Sequence, residues 1–411
     1  FRWHKHQHDP VTGLMFSLLR ASASQAWPAS LTGMVVRGFS ELTPDMTAMP
    51  GHGYMGTGGT ANEEEVQAPR YLVTGAAGQI GLDLVPYLRK RMGVESVIAS
   101  DVKTSRQLIE GGHFAYLDIC DKDSLTRIAI EHGVTHIIHL ATLLSAVGER
   151  SPQLALKVNT AGIHNVLDLA AQHGLTVYAP STIAVFGDSS PKNNTPNDTV
   201  MQPNTMYGVT KVHQELLGAY YKRRFGVDYR SLRYPGIVSA NTAGGGTTDY
   251  AVDMFQKAIR TGSYQCFLSP DARLPMMYLP DALEATWQLI RAPASAVAHC
   301  TTFNVGAFSF SPAELAAAIQ TELPDFKVTY TPDYRDAIAS SWPQSVDDSL
   351  ARQSWGWQPR YDLLAMTKDM LRQVRLQVQK EESQARKGPA GQQTMASQSL
   401  TAAVAVPAEV L

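Results

Sequence analysis

A tyrosine and a lysine four residues apart could work together as an acid–base pair. Tyr207 and Lys211 lie in the run MYGVTKVHQELL, which we predict to be helical, and residues four apart share one face of a helix. A phenol with a pKa of ~10 is a poor base near neutral pH, but a nearby ammonium stabilises its phenolate. Because this spacing is common by chance on surface helices, its meaning depends on the neighbouring residues.

Two hydroxyl residues precede that helix, in the run APSTIAVFG. They could hydrogen-bond an alcohol or carbonyl oxygen of a substrate, although such residues also serve in turns and caps. A hydroxyl donor, a phenol and an ammonium together are typical of enzymes that transfer a hydride from a secondary alcohol. The predicted catalytic residues are Ser181, Thr182, Tyr207 and Lys211.

A glycine-rich turn indicates what would accept the hydride. The run RYLVTGAAGQIG (residues 70–81) places three glycines after a strand-like segment and before a segment with helical periodicity. Gly75 allows a tight turn, Gly78 lets the backbone approach a pyrophosphate, and Gly81 lets the helix pack close to the sheet. The free N–H groups of the helix N-terminus attract the phosphates. We therefore predict a dinucleotide cofactor.

An acidic residue after the next strand indicates which dinucleotide. Asp101 follows the run SVIAS, ~20 residues past the last glycine, where a carboxylate binds the adenosine ribose 2′-hydroxyl of NAD. The carboxylate would repel the 2′-phosphate of NADP, so NAD is favoured, although Lys103 lies close enough to leave NADP open. Asp118 and Ile119 are expected to flank the adenine ring.

Strands alternate with helices through the first half of the sequence. We predict strands at residues 70–74, 96–100, 113–118, 135–142, 176–182 and 227–234, with long helices at 154–173 and 207–225. This alternation predicts an α/β fold, a Rossmann doubly wound parallel sheet, whose ligands lie beyond the carboxyl ends of the strands. The predicted cofactor-binding residues are Gly75, Ala76, Ala77, Gly78, Gln79, Ile80, Gly81, Asp101, Asp118, Ile119, Leu140, Ala141, Thr142, Asn159, Tyr207, Lys211, Tyr234 and Ile237.

Together these motifs resemble the extended short-chain dehydrogenase/reductases, the NAD-dependent epimerase/dehydratase superfamily, over about residues 69–378. Within it, the segments PRYLVTGAAGQIG, HLATLLSAVGE and GGGTTDYAVDMF resemble the short-chain L-threonine 3-dehydrogenases. The resemblance implies a smaller C-terminal α/β substrate lobe and oxidation of the L-threonine Cβ hydroxyl by NAD⁺ to L-2-amino-3-oxobutanoate. It implies that Tyr207 takes the hydroxyl proton, that Lys211 lowers the phenol pKa and fixes the ribose, and that the pair of hydroxyls orients the oxygen.

The second lobe is expected to bind the amino acid. Residues 244–260 form a glycine turn that runs into an amphipathic helix, which Thr247 or Thr248 is expected to cap. The family resemblance implies that Asp249 binds the ammonium group of the substrate. The alternative is that Asp249 only caps the helix. Ser145 is a candidate to bind the carboxylate of the amino acid. The predicted substrate-binding residues are Ser145, Thr182, Tyr207, Thr248 and Asp249.

Two other functions remain open at this stage. A nucleotide-sugar epimerase or dehydratase of the same superfamily would share the Tyr–Lys pair. Such relatives usually carry an asparagine after the sixth strand, and its absence from RYPGIVSA (residues 233–240) argues against this alternative without excluding it. A non-catalytic NAD-sensing protein is the second alternative, but it would not need the complete set of hydroxyl, phenol and ammonium.

Composition limits the possible partners and cofactors. The 411 residues contain 35 Lys+Arg and 37 Asp+Glu, a formal charge of −2, so a nucleic-acid partner is not expected. No stretch approaches the ~18–20 apolar residues of a membrane span. The three cysteines lie far apart without a CxxC motif, so no metal site is predicted. A homodimer formed through the two long helices is expected by analogy with the superfamily.

The two ends of the chain differ in composition from the rest. Residues 15–40 are rich in Ser and Ala, contain Arg and lack acidic residues, which is typical of a mitochondrial transit peptide and predicts a matrix protein; a secretory signal is the alternative. The predicted organisation is an unassigned upstream extension (residues 1–14), a transit peptide (15–40), a linker (41–68), an NAD-binding Rossmann domain (69–234), a mainly substrate-binding lobe (235–380) and a disordered tail (381–411).

Overall fold

The structure, a computed structural model, describes residues 68–241 and 244–386. The predictions for the extension, the transit peptide and most of the linker and tail therefore lie outside the described residues. The strands are β1 (Tyr71–Thr74), β2 (Val97–Asp101), β3 (Phe114–Tyr116), β4 (His136–His139), β5 (Thr176–Tyr178), β6 (Ser181–Thr182), β7 (Tyr229–Tyr234), β8 (Gly236–Val238), β9 (Ser263–Cys266), β10 (Leu274–Tyr278), β11 (Thr302–Asn304), β12 (Phe308–Phe310) and β13 (Lys327–Tyr330).

The helices alternate with these strands along the first half of the described chain and cluster in the second. They are α1 (Gly81–Met92), α2 (Arg106–Glu110), α3 (Lys122–Glu131), α4 (Ser145–Arg150), α5 (Pro152–His173), α6 (Met206–Phe225), α7 (Tyr250–Arg260), α8 (Leu279–Arg291), α9 (Pro312–Gln320), α10 (Tyr334–Ser341), α11 (Ser349–Trp355) and α12 (Leu363–Arg386). Short 3₁₀ turns lie at Val94–Ser96, Ile183–Val185, Thr247–Asp249 and Ala294–Val297.

The large sheet is parallel and doubly wound, as the alternation predicts. Its strands run in the order β11-β7-β5-β4-β1-β2-β3, with β6 paired to β7, and each pairing is parallel. All four residues of β1 are buried because helices cover both faces of such a sheet. The order of the strands reverses between β1 and β4, which is where a doubly wound sheet opens its ligand cleft.

The prediction of a single fifth strand over residues 176–182 is wrong. The structure has two short strands, β5 and β6, separated by Ala179 and Pro180. Proline has no N–H for a strand ladder, so it interrupts the pairing. The second piece, Ser181–Thr182, then pairs with Arg233–Tyr234 at the end of β7, which brings the two hydroxyl residues to the edge of the cleft.

The second half of the chain contributes to more than one sheet. β8, β10 and β12 form a three-stranded mixed sheet, and β9 pairs with β13. β11, however, pairs with β7 and extends the large sheet. The chain therefore crosses back to the dinucleotide-binding sheet after residue 234, a return that no local sequence motif marked.

The two long helices begin and end where the sequence provides caps. The Thr205 side chain accepts a hydrogen bond from the Gly208 N–H at the start of α6, and Pro152 stands in the first turn of α5. Each helix ends at a left-handed glycine, Gly226 or Gly174.

At the C-terminus, α12 continues to Arg386. The prediction that the disordered tail begins at residue 381 is therefore wrong for its first six residues. Among the described helices, none combines the length and apolar character needed to cross a membrane.

Candidate functional site

A cleft of about 880 Å³ lies at the carboxyl ends of the large sheet and contains nearly all of the predicted site residues. It is lined from the cofactor side by the glycine turn, Asp101 and the ends of β3 and β4, and from the other side by the segment that leads into α7. Of the predicted residues, Ala76 and Asn159 are the two that do not line it. The predicted residues that do are Gly75, Ala77, Gly78, Gln79, Ile80, Gly81, Asp101, Asp118, Ile119, Leu140, Ala141, Thr142, Ser145, Ser181, Thr182, Tyr207, Lys211, Tyr234, Ile237, Thr248 and Asp249.

The glycine turn packs tightly against neighbouring backbone because side chains are absent there. Gly75 has a φ of +69°, and a Cβ on it would lie 2.5 Å from the Ala141 N atom. A Cβ on Gly81 would lie 2.5 Å from the Ala76 carbonyl oxygen. The residue before α1, Ile80, provides no side-chain cap. The N–H groups of Leu82 and Asp83 bond the carbonyls of Gly78 and Ile80, so an anion would meet the N–H groups of the turn that precede Leu82.

The carboxylate of Asp101 lies directly beside that turn. The Ala77 N–H donates to its Oδ2 (3.0 Å), and the Lys103 N–H donates to its Oδ1 (2.9 Å). Both oxygens keep further lone pairs for the hydroxyls of a ribose. The Thr142 hydroxyl, after β4, is buried and has no hydrogen-bond partner among the described residues, as expected where a ligand supplies the missing partner. The residues of this half of the cleft therefore fit NAD.

Three predicted cofactor residues have structural contacts of their own. Asn159 is buried and bonds both the N–H and the carbonyl of Leu143, so it fixes the loop after β4. Ala76 is fully buried behind the glycine turn. Tyr234 lines the cleft, but its hydroxyl bonds Thr286 and accepts a hydrogen bond from Tyr178, away from a ligand. Asn159 and Ala76 thus support the site rather than face it.

Tyr207 and Thr182 face the cleft together. Thr182 Oγ1 accepts a hydrogen bond from the Ala184 N–H (3.2 Å), which leaves the Thr182 O–H free to donate. Burial raises the pKa of Tyr207 to about 12, and the neighbouring Thr182 hydroxyl opposes that rise. Desolvation of the phenolate outweighs the effect of the Thr182 hydroxyl, so these residues by themselves do not produce the low phenol pKa expected from the sequence.

Lys211 donates to two neutral acceptors. Its Nζ donates to the Pro180 carbonyl (2.8 Å) and to Gln214 Oε1 (2.9 Å) and lies 5.8 Å from the centroid of the Tyr207 ring. Burial lowers the pKa of Lys211 to about 7, against the opposing effect of Glu215. The ammonium is thus near the phenol but does not contact its oxygen, and near neutral pH it is only partly protonated.

Ser181 has a partner that its sequence position did not reveal. Its hydroxyl donates to Glu215 Oε1 (2.5 Å), and Glu215 forms a buried ion pair with Arg233 (2.8 Å). A hydroxyl that already donates to a carboxylate cannot also donate to a substrate oxygen. Catalytic participation of Ser181 stays a prediction, and Thr182 is the better placed of the two hydroxyls.

The amino-acid side of the cleft is built from distant segments. Ser145 Oγ lies 3.2 Å from Thr247 Oγ1 and accepts a hydrogen bond from the Thr247 N–H (3.3 Å). Asp249 Oδ2 accepts hydrogen bonds from the N–H groups of Gly245 and Gly246, both at 2.7 Å. Burial raises the pKa of Asp249, and these two N–H groups oppose the rise.

The predicted threonine cap of the following helix is wrong. Thr247–Asp249 form a 3₁₀ turn, and α7 begins at Tyr250 with Asp249 before it. Neither threonine caps α7, because the Thr247 side chain is bonded to Ser145 instead. Thr248 lines the cleft.

Several lining residues were not predicted from the sequence. They include Leu117, Leu143 and Leu144 in the loops after β3 and β4, Val147 in α4, Gly236 in β8 and Asn241 after β8. Apolar loop residues carry no distinguishing motif, so nothing local could have identified them. Within the described chain, no three His, Cys, Asp or Glu side chains converge on a possible metal position.

Residues 71–306 match the profile of the NAD-dependent epimerase/dehydratase family. This match spans more than half of the chain. The chain belongs to that family. NAD is accordingly its cofactor, in agreement with the glycine turn and Asp101, and the predicted extended short-chain dehydrogenase/reductase fold is confirmed.

Several proteins similar to this chain are named as L-threonine dehydrogenases. The chain is 49% identical over 310 residues to the mitochondrial L-threonine 3-dehydrogenase of Sus scrofa, across 75% of its own length and 83% of that protein. It is 54% identical to the L-threonine dehydrogenase structure from Phytophthora infestans, with a TM-score of 0.72 over 75% of this chain and 99% of the other. A monomeric L-threonine 3-dehydrogenase from a metagenome is 42% identical, with a TM-score of 0.72 over 74% and 98% of the two chains.

Proposed function

We propose that this protein is an NAD-dependent L-threonine 3-dehydrogenase, which oxidises the Cβ hydroxyl of L-threonine to give L-2-amino-3-oxobutanoate and NADH. The observation that carries the proposal is that Thr182, Tyr207 and Lys211 line the same cleft as the glycine turn and Ser145. That arrangement combines a hydroxyl-oxidising set, a dinucleotide turn and polar groups for an amino acid. The named activity of relatives more than 40% identical supports the same choice.

In the proposed reaction Tyr207 is the base. When bound, NAD⁺ supplies the hydride acceptor and a positively charged ring. The Thr182 O–H, which is free to donate, orients the substrate oxygen, and the Tyr207 phenolate removes its proton. Lowering the Tyr207 pKa from about 12 to neutral requires roughly 7 kcal/mol. The protonated form of Lys211, 5.8 Å from the ring, contributes part of that stabilisation.

The two halves of the cleft would bind the two ligands. On the cofactor side, the N–H groups of the glycine turn would contact the pyrophosphate, Asp101 the adenosine ribose, and Asp118 with Ile119 the adenine. On the other side, Ser145, Thr248 and Asp249 would contact the amino acid. We accordingly propose that residues 69–234 mainly bind NAD and that residues 235–380 mainly bind the substrate, with Ser145 crossing that division.

An assay of the full chain with a small panel of substrates tests the function. Steady NADH formation at 340 nm with NAD⁺ and L-threonine, and much less with L-serine, is the expected result. UDP-glucose is the control for the alternative in the same family: an epimerase would interconvert the sugar without net NADH. Turnover of the nucleotide sugar and none of L-threonine would overturn the proposal.

We propose that the protein resides in the mitochondrial matrix. The support is the composition of residues 15–40 and the word mitochondrial in the name of the Sus scrofa relative. Residues 1–68 fused to a fluorescent protein should direct it to mitochondria, whereas residues 69–411 alone should not. Secretion of the fusion would favour the secretory-signal alternative.

We also propose a homodimer through α5 and α6. Large apolar residues are exposed along both helices: Leu154, Leu156, Val209, Leu216, Tyr220 and Phe225. Exposed apolar area of this kind is typical of an interface, although one similar protein is described as monomeric. Light scattering should give a dimer for the wild type and a monomer for Leu216→Glu. Leu364→Glu, an exposed leucine on α12, is the matched control and should remain dimeric.

A further inference from the structure

The loop between β8 and α7 lies against the cofactor turn. This β8–α7 loop, residues 239–249, is described except at positions 242 and 243. Its last residues, Thr248 and Asp249, line the amino-acid side of the cleft. Its first residues contact a different part of the molecule, the turn and helix that receive the dinucleotide.

Two side-chain hydrogen bonds join the start of this loop to the cofactor site. Gln79, in the glycine turn, donates through Nε2 to Ser239 Oγ (3.0 Å). Asn241 donates through Nδ2 to the Asp83 carboxylate in the first turn of α1. Gly244 also packs against Gln79, since a Cβ there would lie 3.4 Å from Gln79 Oε1. Neither bond belongs to the secondary structure, so each depends on where the glycine turn and α1 lie.

The last residues of the loop form hydrogen bonds on the amino-acid side of the cleft. The Asp249 carboxylate accepts hydrogen bonds from the N–H groups of Gly245 and Gly246, both at 2.7 Å. Thr247 forms hydrogen bonds with the Ser145 hydroxyl. The loop is therefore fixed at both ends: at its start by residues of the cofactor turn, and at its end by residues proposed to contact the amino acid.

We propose that Gln79 and Asp83 are positioning residues for the amino-acid site, acting through Ser239 and Asn241 to hold the β8–α7 loop in place when the dinucleotide occupies the glycine turn. A ligand that fixes the backbone of residues 78–81 also fixes Gln79 and the start of α1. The described loop residues, 239–241 and 244–249, are then held in position before the substrate binds. The amino-acid part of this inference rests on the proposed function, but the coupling between turn and loop does not.

Coupling of this kind is reciprocal. If NADH binding stabilises the loop, an amino acid that stabilises the loop must strengthen NADH binding by the same factor. Loss of one such hydrogen bond is expected to change the coupled affinity about fivefold, the effect of one net hydrogen bond in a protein. The effect should fall on the KM for L-threonine rather than on kcat, because neither Gln79 nor Asp83 is proposed to touch the reacting atoms.

Hydrogen-exchange mass spectrometry of the full chain, with and without NADH, measures the coupling without using turnover. In the wild type, NADH should slow exchange in peptides covering residues 239–249. At pH 8.5, Asn241→Asp places two carboxylates face to face and should abolish most of that NADH-induced protection. The exchanged pair Asp83→Asn/Asn241→Asp restores a donor and an acceptor and should restore the protection. Gln79→Met, which removes the other hydrogen bond at similar volume, should reduce it.

The matched control is Asn204→Asp. Asn204 donates to Asp188 Oδ2 (2.9 Å) at an exposed site that does not line the cleft, so this variant should keep the wild-type protection of the loop. Protection that persists unchanged in Asn241→Asp and Gln79→Met would overturn the inference, as would failure of the exchanged pair to restore it. L-Threonine turnover is measured separately, so an active enzyme without coupling rejects the inference and leaves the proposed function standing.

Discussion

The two halves of the cleft are assembled in different ways. On the cofactor side, the glycine turn and Asp101 follow each other within about thirty residues, and two neighbouring parallel strands, β1 and β2, bring them together. On the amino-acid side, Ser145 and Thr247 meet although they stand 102 positions apart. Tyr207 and Lys211, on a third element, lie between the two halves.

This difference predicts how substitutions in each half of the cleft affect ligand binding. Parallel pairing of buried strands fixes the cofactor side independently of the loops. The amino-acid side depends on side-chain hydrogen bonds between loops, which contribute less individually and act together. Outside the contacts of Gln79 and Asp83 with the β8–α7 loop, changes in the cofactor half should therefore mainly alter cofactor affinity, whereas changes in the other half should mainly alter substrate use.

Removing the phenol hydroxyl should have the largest effect, because it affects the chemistry between the two halves. Tyr207→Phe should lower kcat about 10²- to 10⁴-fold, the usual contribution of a positioned acid–base group, while the Kd for NADH changes little. Tyr334→Phe is the control, since Tyr334 is an exposed tyrosine on α10 that does not line the cleft. Near-normal rates in Tyr207→Phe would show that the base is another group.

Changing the ribose carboxylate should affect the cofactor half alone. Asp101→Ala removes the acceptor of two backbone N–H groups and should raise the Kd for NADH about 10- to 100-fold, as expected from losing charge-assisted hydrogen bonds. The preference for NAD over NADP should shrink in the same titrations, and the KM for L-threonine at saturating NAD⁺ should stay near the wild-type value. Asp123→Ala, an exposed carboxylate on α3, should alter neither constant. Unchanged preference in Asp101→Ala would assign the ribose to another residue.

Changing Ser145 should affect the other half alone. Ser145→Ala removes the partner of the Thr247 N–H and hydroxyl and should raise the KM for L-threonine about fivefold, the effect of one net hydrogen bond. Initial rates and NADH fluorescence titrations of the same preparation separate the two affinities. Ser189→Ala, an exposed serine bonded to Gln202, is the matched control. If NADH affinity falls together with threonine affinity, the halves are not separable at this position.

The remaining expected effect is on stability and comes from the buried amine of Lys211. Below pH 7 Lys211 is protonated in both the folded and unfolded states, so the cost of burying its charge is complete. As pH rises from the folded pKa of about 7 toward the ordinary value of 10.5, the folded state loses the proton first and the cost disappears. The free energy of unfolding of the wild type should therefore rise with pH over this interval, relative to Lys211→Met. Thermal melts at pH 6 and pH 10 measure the difference, and an equal gap between the two proteins at both pH values would contradict the pKa.

The sequence predicted the parts of the molecule that short-range patterns specify. The strand–glycine–helix unit ending at Asp101 and the Tyr207–Lys211 spacing needed only local residues, and the parallel sheet followed from the alternation of elements. The break in strand five also has a local cause, Pro180, which lacks the N–H that a continuous strand ladder needs.

The rest depends on contacts between distant residues. Asn159 and Ser181 have residue types that suit a ligand, yet their side chains bond Leu143 and Glu215 instead. Thr247 was expected to cap a helix, but the hydroxyl of Ser145 is its partner. The raised pKa of the Tyr207 phenol also comes from burial, a property of the folded chain that the spacing of two residues does not reveal.

Transfer of the hydrogen on Cβ tests the central claim most directly. L-Threonine deuterated at C3 is incubated with the full chain and NAD⁺, and the reduced cofactor is analysed by mass spectrometry. The proposed reaction predicts one deuterium in each NADH formed, with an equal amount of L-2-amino-3-oxobutanoate or its breakdown product. NADH without deuterium, or label lost to solvent, would contradict direct removal of hydride from Cβ and with it the role given to Tyr207.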